Sequence, residues 1–193
     1  MQVESMEDLS NINTIDDITS AIYLHEYIHY LQDITTSFGF LNISTVVDYI
    51  KYANEIMLSN GSSKETFKVP FKVKPSPNNE VFFNQKLKQK YIGNVDDVKK
   101  ASVQNVRTKQ HVVTLKNGNQ TVNAVYVEYI DGKGEPQTYE FGSHSIIESM
   151  AYSIENYVYP DLLPAPPEFP YKAAYKVIEH ECPSLLKDPL NLI

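Results

Sequence analysis

A single cysteine, Cys182, in 193 residues excludes an intrachain disulfide and any metal site built from cysteines alone. No apolar run approaches the roughly 20 residues that a membrane-spanning helix needs. The opening residues, Met1 to Ser10, are acidic and polar, without the basic start and apolar centre of a secretory signal. Basic residues are outnumbered, 17 Lys and Arg against 24 Asp and Glu, and the net charge of -7 argues against a nucleic-acid groove. The nearest thing to a basic cluster, Lys86, Lys88 and Lys90 with Lys99 and Lys100, reads as the solvated side of a strand and loop. Internal repeats and low-complexity tracts are missing too. These absences leave a cytoplasmic protein as the expectation, with neither nucleic acid nor membrane as partner and the oligomeric state open. The remainder, 42% hydrophobic and 21% charged, is the composition of a globular chain able to bury a core. The apolar ending, Asp188 to Ile193, leaves open that the chain is a piece of a longer protein.

The stretch with chemical content runs from Thr14 to Gly39. Ile15, Ile18, Ala21, Ile22, Ile28, Leu31, Ile34 and Phe38 recur at threes and fours, which predicts a helix. Thr14 with Asp17 reads as its start and Gly39 as its stop. Inside it stand His25-Glu26-Tyr27-Ile28-His29. Positions four apart lie one turn apart on one helix face, so His25 and His29 can direct two imidazoles at one metal ion. Glu26 lies about 100° further round, where it can reach a water on that metal. This is the H-E-x-x-H arrangement, in which two histidines bind zinc and the glutamate acts as general base. The alternative, two structural histidines satisfied by hydrogen bonds, needs other partners for them in a segment without charge between Asp17 and Asp33 except Glu26.

The rest of the chain divides by texture. Asn42 to Gly61 reads as a second helix, with Val46, Val47, Ile50, Ala53, Ile56 and Met57 as its packing stripe and its polar residues as a solvated face. It is expected to pack beside the first helix through a link at Phe40 to Ser44. Residues 62–142 read as a β-rich insertion of about four to six strands. Its expected parts are strands at Thr66 to Val73 and Val81 to Ile92, a loop or helical turn at Asn94 to Ala101, and two hairpins. The hairpins turn at Asn117-Gly118 and at Asp131 to Gly134. His111 reads as an ordinary strand residue. At Ser143 the helical period returns, with Ile146, Ile147, Met150, Ala151, Ile154, Tyr157 and Val158 as the apolar stripe and Pro160 as the stop. A proline-rich loop follows, and Tyr171 to Cys182 reads as a last helix. The expected class is α+β. A helical core is formed by 1–61 and 143–193, completing one domain around the insertion.

Catalytic zinc takes three protein ligands and keeps one open position. A histidine six residues after His29 would supply the third, but that position is Thr35. Glu148 is the leading candidate, a carboxylate in an otherwise apolar helix that is costly unless it meets a cation or metal. Glu155, seven residues on and roughly on the same face, is its rival, with His144 and His180 behind. His144, one turn before Glu148, also fits a supporting partner, an oxyanion donor or a helix-start residue facing solvent. His180 fits a transition-state donor or an exposed residue in an acidic turn. Asp33 is placed to hold an imidazole in its tautomer. Tyr27, Tyr30, Tyr152 and Tyr157 are the tyrosines near this locus in sequence.

The pair of motifs, His25-Glu26-Tyr27-Ile28-His29 and, far downstream, Glu148-Ser149-Met150-Ala151, resembles the H-E-x-x-H plus E-x-x-A pattern of gluzincin metallopeptidases. The run from Glu148 to Pro160 is similar to that of the ImmA-like branch. The resemblance covers the two helices, about a quarter of the chain, and leaves the β-rich part unmatched. It implies a zincin-like core, zinc held by His25, His29 and Glu148, and Glu26 as base. The implied reaction is hydrolysis of peptide bonds in a protein or peptide substrate by a zinc-activated water. Gluzincins carry a sheet before the first motif, whereas few residues precede it here, so a substrate-aligning strand is expected from the insertion or from elsewhere. The reading from another class is a metal-binding interaction or scaffold module with a structural or degenerate site. A metal-dependent hydrolase with a non-peptide substrate would use the same residues.

Overall fold

The structure is a computed structural model and describes residues 15–59, 70–73, 80–98, 104–114 and 121–187. Its elements are helices α1 (Asp17–Thr35), α2 (Ser37–Ser59) and α3 (Glu80–Ile92), strands β1 (Gln104–Thr114), β2 (Thr121–Ile130) and β3 (Pro136–Phe141), then α4 (Ser143–Val158) and α5 (Ala173–Glu181). A short 3-10 turn, Pro183–Lys187, ends the described chain. Five helices with one antiparallel sheet in the order β1-β2-β3 make the fold α+β.

The helical signal of the first segment holds, but its ends move. Asp16 is the N-cap of α1, accepting from the Thr19 amide at 2.9 Å. At the other end one residue both stops α1 and starts α2. Thr36 is extended, its amide donates back to the Gln32 carbonyl, and its hydroxyl accepts from the Gly39 amide at 3.0 Å. With a cap on both sides of Thr36, Gly39 and the expected link at Phe40 to Ser44 lie inside α2. Gly39 is needed there for closeness, because a Cβ would overlap the Asp33 carbonyl oxygen.

α2 turns most of its expected packing stripe outward, while Ala53 of that stripe is buried and Ile56 half-buried. Val46, Val47, Ile50 and Met57 are exposed, while Thr45 is buried and Asp48 and Tyr49 half-buried. Polar groups turned inward find partners: Tyr49 donates to the Phe71 carbonyl and Asp48 accepts from Asn84 of α3.

Residues expected as a strand, Val81 to Ile92, form α3. Alternation of apolar and polar residues favoured a strand, but the run Gln85 to Lys90 consists of Lys and Gln with one Leu, residues that lose little freedom in a helix. Glu80 in the first turn and Lys90 in the last complement its dipole. Of the other expected strand, Pro70 to Val73 are irregular and the rest lies outside the described residues. Val98, within the expected loop, forms an isolated bridge with Phe169.

Both hairpins are present. β1 and β2 pair antiparallel from Thr114↔Thr121, and the Asn117-Gly118 turn lies outside the described residues. β2 and β3 pair from Ile130↔Pro136 around a turn in which Asp131 accepts from the Lys133 and Glu135 amides. Three strands are described where four to six were expected. β2 is covered on both sides, with Val122 and Ala124 buried on one face and Val127 and Tyr129 on the other. The second face forms the core with Tyr139, Ala173 and Phe169, whose ring is fully buried 4.8 Å from Tyr139 and 5.5 Å from Tyr129. The Tyr139 hydroxyl donates to the Asn94 carbonyl and accepts from Ser145.

α4 begins and ends close to expectation; of its expected apolar stripe Ala151 is fully buried, Ile147, Met150 and Ile154 are half-buried, and the rest turns outward. Ile146, Tyr157 and Val158 are exposed; Ser145, Ser149, Ala151 and Glu155 are buried. Small side chains let α4 approach α1 closely at Ala21 and Ala151, both without exposed surface. The two run antiparallel, since His25 meets Glu155 while Gln32 meets Ile147. Ser149 also holds the proline-rich segment, donating to the Pro170 carbonyl and accepting from the Ala174 amide. With Val98 and Phe169 bridging on the other side, that segment is fixed beside the α1–α4 seam.

Candidate metal centre

α1 presents His25 and His29 one turn apart, and both imidazoles turn toward α4. Their Nε2 atoms lie 3.0 Å apart. The Glu148 carboxylate stands against them, one oxygen 3.5 Å from His25 Nε2 and the other 3.4 Å from His29 Nε2. All three side chains are 14% to 21% exposed, open enough for an ion to enter and closed enough to limit screening.

The far side of each ring is tied down. His25 Nδ1 donates to Glu155 at 2.8 Å, and Glu155 is buried. His29 Nδ1 donates to Gln32 Oε1 at 3.0 Å. The Gln32 amide nitrogen donates to the Ile147 carbonyl at 3.1 Å, which sets its oxygen toward the histidine. Both Nδ1 atoms therefore carry the proton, and both Nε2 atoms present lone pairs to the same point. Two lone pairs and a carboxylate converging in a sheltered place repel one another unless a cation sits among them.

Protons or a metal can serve. Without metal, Glu148 raises the pKa of both imidazoles above the ordinary histidine value, against burial and, for His25, the charge on His29. Burial pushes the Glu148 carboxyl up, but hydrogen bonds from His25 and His29 outweigh it and bring it down to about 2. The spacing also suits a metal ion. Zinc bonds of about 2.0–2.1 Å at tetrahedral angles set ligand atoms about 3.3–3.4 Å apart, close to the observed 3.0, 3.4 and 3.5 Å. The two carboxylates, Glu148 and Glu155, also balance a divalent charge. Among the described residues, His25, His29 and Glu148 are the group of metal-ligating side chains whose donor atoms converge, all within 4.8 Å.

The remaining expected residues are placed as follows. Glu26 is exposed and lines a cleft of about 250 Å³ with His25, Glu155 and Ile22. Its other wall is Leu163, Pro164 and Pro166 of the proline-rich segment, with Tyr152 and Tyr171. Glu155, the rival third ligand, orients His25 instead. Asp33 is exposed, and Gln32 does the orienting expected of it. His144 Nδ1 lies 3.8 Å from Glu148. His180 is remote, hydrogen-bonded to Thr108 of β1 and Glu181. Tyr27 and Tyr30 stack on each other in solvent and Tyr157 is exposed, so of the four tyrosines only Tyr152 reaches the cleft.

Two site residues were not foreseen. Gln32 was signalled by its position, a polar side chain three residues after His29 in an apolar segment. Tyr171 had no local signal, because only the path of the proline-rich segment brings its ring 6.2 Å from that of His25. Burial first, then Glu148, raises the Tyr171 pKa, so its hydroxyl is a proton donor at neutral pH.

Compared with protein-family models, curated proteins and solved structures, the chain matches none. Among the described residues no helix is long and apolar enough to cross a membrane.

Proposed function

We propose that this chain is a zinc-dependent metallopeptidase of gluzincin type, with His25, His29 and Glu148 as the metal ligands and Glu26 as general base. The observation that carries the reading is the convergence of two Nδ1-protonated imidazoles and a carboxylate on one point, beside a cleft that Glu26 lines. Zinc, when bound, supplies Lewis acidity that acidifies water and polarises a carbonyl. The chain supplies the rest. Glu155 and Gln32 keep the protons on Nδ1, so both histidines offer Nε2. Glu26 takes a proton from the attacking water onto a carboxylate oxygen and passes it to the amine nitrogen that leaves. Tyr171 and Tyr152, protonated at neutral pH, offer hydroxyl donors to a peptide lying in the cleft. The proline-rich wall excludes water from one side of it.

The test is Glu26→Gln. It is expected to abolish hydrolysis of an unfolded protein substrate such as casein while leaving zinc content unchanged. Hydrolysis at the wild-type rate would remove Glu26 from the mechanism.

A second reading, a metal-binding interaction module with a structural site, needs a fourth protein ligand, for which His144, with Nδ1 3.8 Å from Glu148 but outside the converging group, is a candidate after a side-chain shift. His144→Ala separates the two. The structural reading expects zinc to be lost, and the catalytic reading expects it to be retained.

A further inference from the structure

Helix α2 turns its aliphatic side away from the fold. Phe40, Ile43, Val47, Ile50 and Met57 are 42% to 59% exposed, and Val46 and Leu58 flank them at 52% and 74%. At 100° per residue these seven fall in one sector about 120° wide. The inward side carries the buried Thr45; the buried Ala53 lies at the edge of the sector, and Gly39, at its N-terminal end, is closed off by the Asp33 backbone of α1. The spacing within the stripe is more specific than amphipathicity. Residues 40, 43, 47, 50, 54 and 57 alternate steps of three and four, the a/d rhythm of a two-stranded coiled coil. Phe40, Val47 and Asn54 take the a positions, and Ile43, Ile50 and Met57 the d positions.

We propose that this face is the seam of a parallel homodimer, with α2 of one copy lying along α2 of a second. Asn54, exposed at an a position, identifies the occupant. In a parallel pair the two Asn54 amides face each other across the axis and hydrogen-bond, which also locks the register. An antiparallel pair, or an unrelated apolar groove, buries each amide against aliphatic side chains without a partner. Lys51, at an e position, points the same way. A parallel pair sets it against Val46 of the g row, where its methylene stem covers apolar surface, whereas an antiparallel pair brings the e rows together. The area is right for a dimer as well. The exposed fractions leave roughly 600 Å² of apolar surface on this helix, at the limit of what monomers expose and near the ~800 Å² per partner of a standard interface.

Light scattering of the purified chain at micromolar concentration is expected to give twice the mass of one chain. Ile50→Glu, at a 59% exposed position, is expected to give the monomer mass with an unchanged helical signal. Cross-linking provides a test that does not depend on that variant folding. In a Cys182→Ser background under mild oxidation, Val47→Cys on the seam is expected to form a covalent dimer and Glu55→Cys, at an outward b position, is not. A monomeric wild type assigns the face to a different partner and overturns the proposal. So does a dimer whose mass survives Ile50→Glu, or equal cross-linking at positions 47 and 55.

Discussion

Glu155→Gln isolates what orients the metal site from what binds the metal. Glu155 accepts from His25 Nδ1 at 2.8 Å, and its side chain is 9% exposed, so the bond is charge-assisted and poorly screened. Hydrogen bonds to charged groups contribute about 1.5–3 kcal/mol and neutral ones about 0.5–1.5. Gln keeps an acceptor and removes the charge, a loss of about 1–1.5 kcal/mol, or close to tenfold in zinc affinity. Glu155→Leu removes the acceptor and leaves an N–H unpaired in a half-buried ring, so its expected loss is nearer a hundredfold. Competition for zinc against a chromophoric chelator at constant pH reads both. The ordering wild type, Gln, Leu in decreasing affinity is the signature of an orienting partner. If Glu155→Gln loses zinc as completely as Glu148→Ala, Glu155 is itself a ligand; if both variants bind as wild type, the Nδ1 contact does nothing. Either result refutes the assignment.

Stability should depend on pH in opposite ways with and without metal. In the metal-free protein the raised histidines stabilise fully below about 6.5 and lose that contribution as pH rises through their folded values; Glu148 contributes fully above 4.5 and fades as pH falls toward 2. The cluster therefore helps the metal-free fold most between 4.5 and 6.5, whereas zinc needs both imidazoles deprotonated and adds stability on the alkaline side of that window. Thermal melts with chelator and with zinc check this, and a zinc-dependent gain as large near pH 5 as near pH 8 contradicts it. Phe169→Ala should cost about 3–5 kcal/mol in urea unfolding, since the ring is fully buried between Tyr129 and Tyr139 and the cavity cannot collapse onto a strand pair. A loss under about 1 kcal/mol would show that the core around β2 is not organised by this ring.

The convergence of His25, His29 and Glu148 was legible because its logic is local. Two histidines four apart meet at one point on any helix, and Glu148 stood out as a charge in an apolar run. Hairpins announced themselves through Asn117-Gly118 and the Asp131 turn for the same reason, since turn chemistry is written in adjacent residues. What stayed hidden depends on neighbours. Val81 to Ile92 carries an alternating pattern that a strand and a helix can both use, and composition decided for the helix. The outward turn of much of the α2 and α4 stripes was unreadable because periodicity shows that a stripe exists, not how it is centred on the core. In α4, Ser145 and Ser149 are inward because Tyr139 and the Pro170 segment bond their hydroxyls, and the small Ala151 is buried beside them. In α2 the polar side is inward because Phe71 and Asn84 offer it hydrogen bonds. Tyr171 joined the site only through the course of the proline-rich segment, which no local pattern records.

The central claim is that His25, His29 and Glu148 hold one metal ion. Elemental analysis of the protein, purified without chelator and dialysed, alongside Glu148→Ala, tests it most directly. One zinc per chain in the wild type and none in the folded variant is the predicted result. A folded wild type that retains no metal, or a Glu148→Ala variant that retains as much as the wild type, would contradict the account.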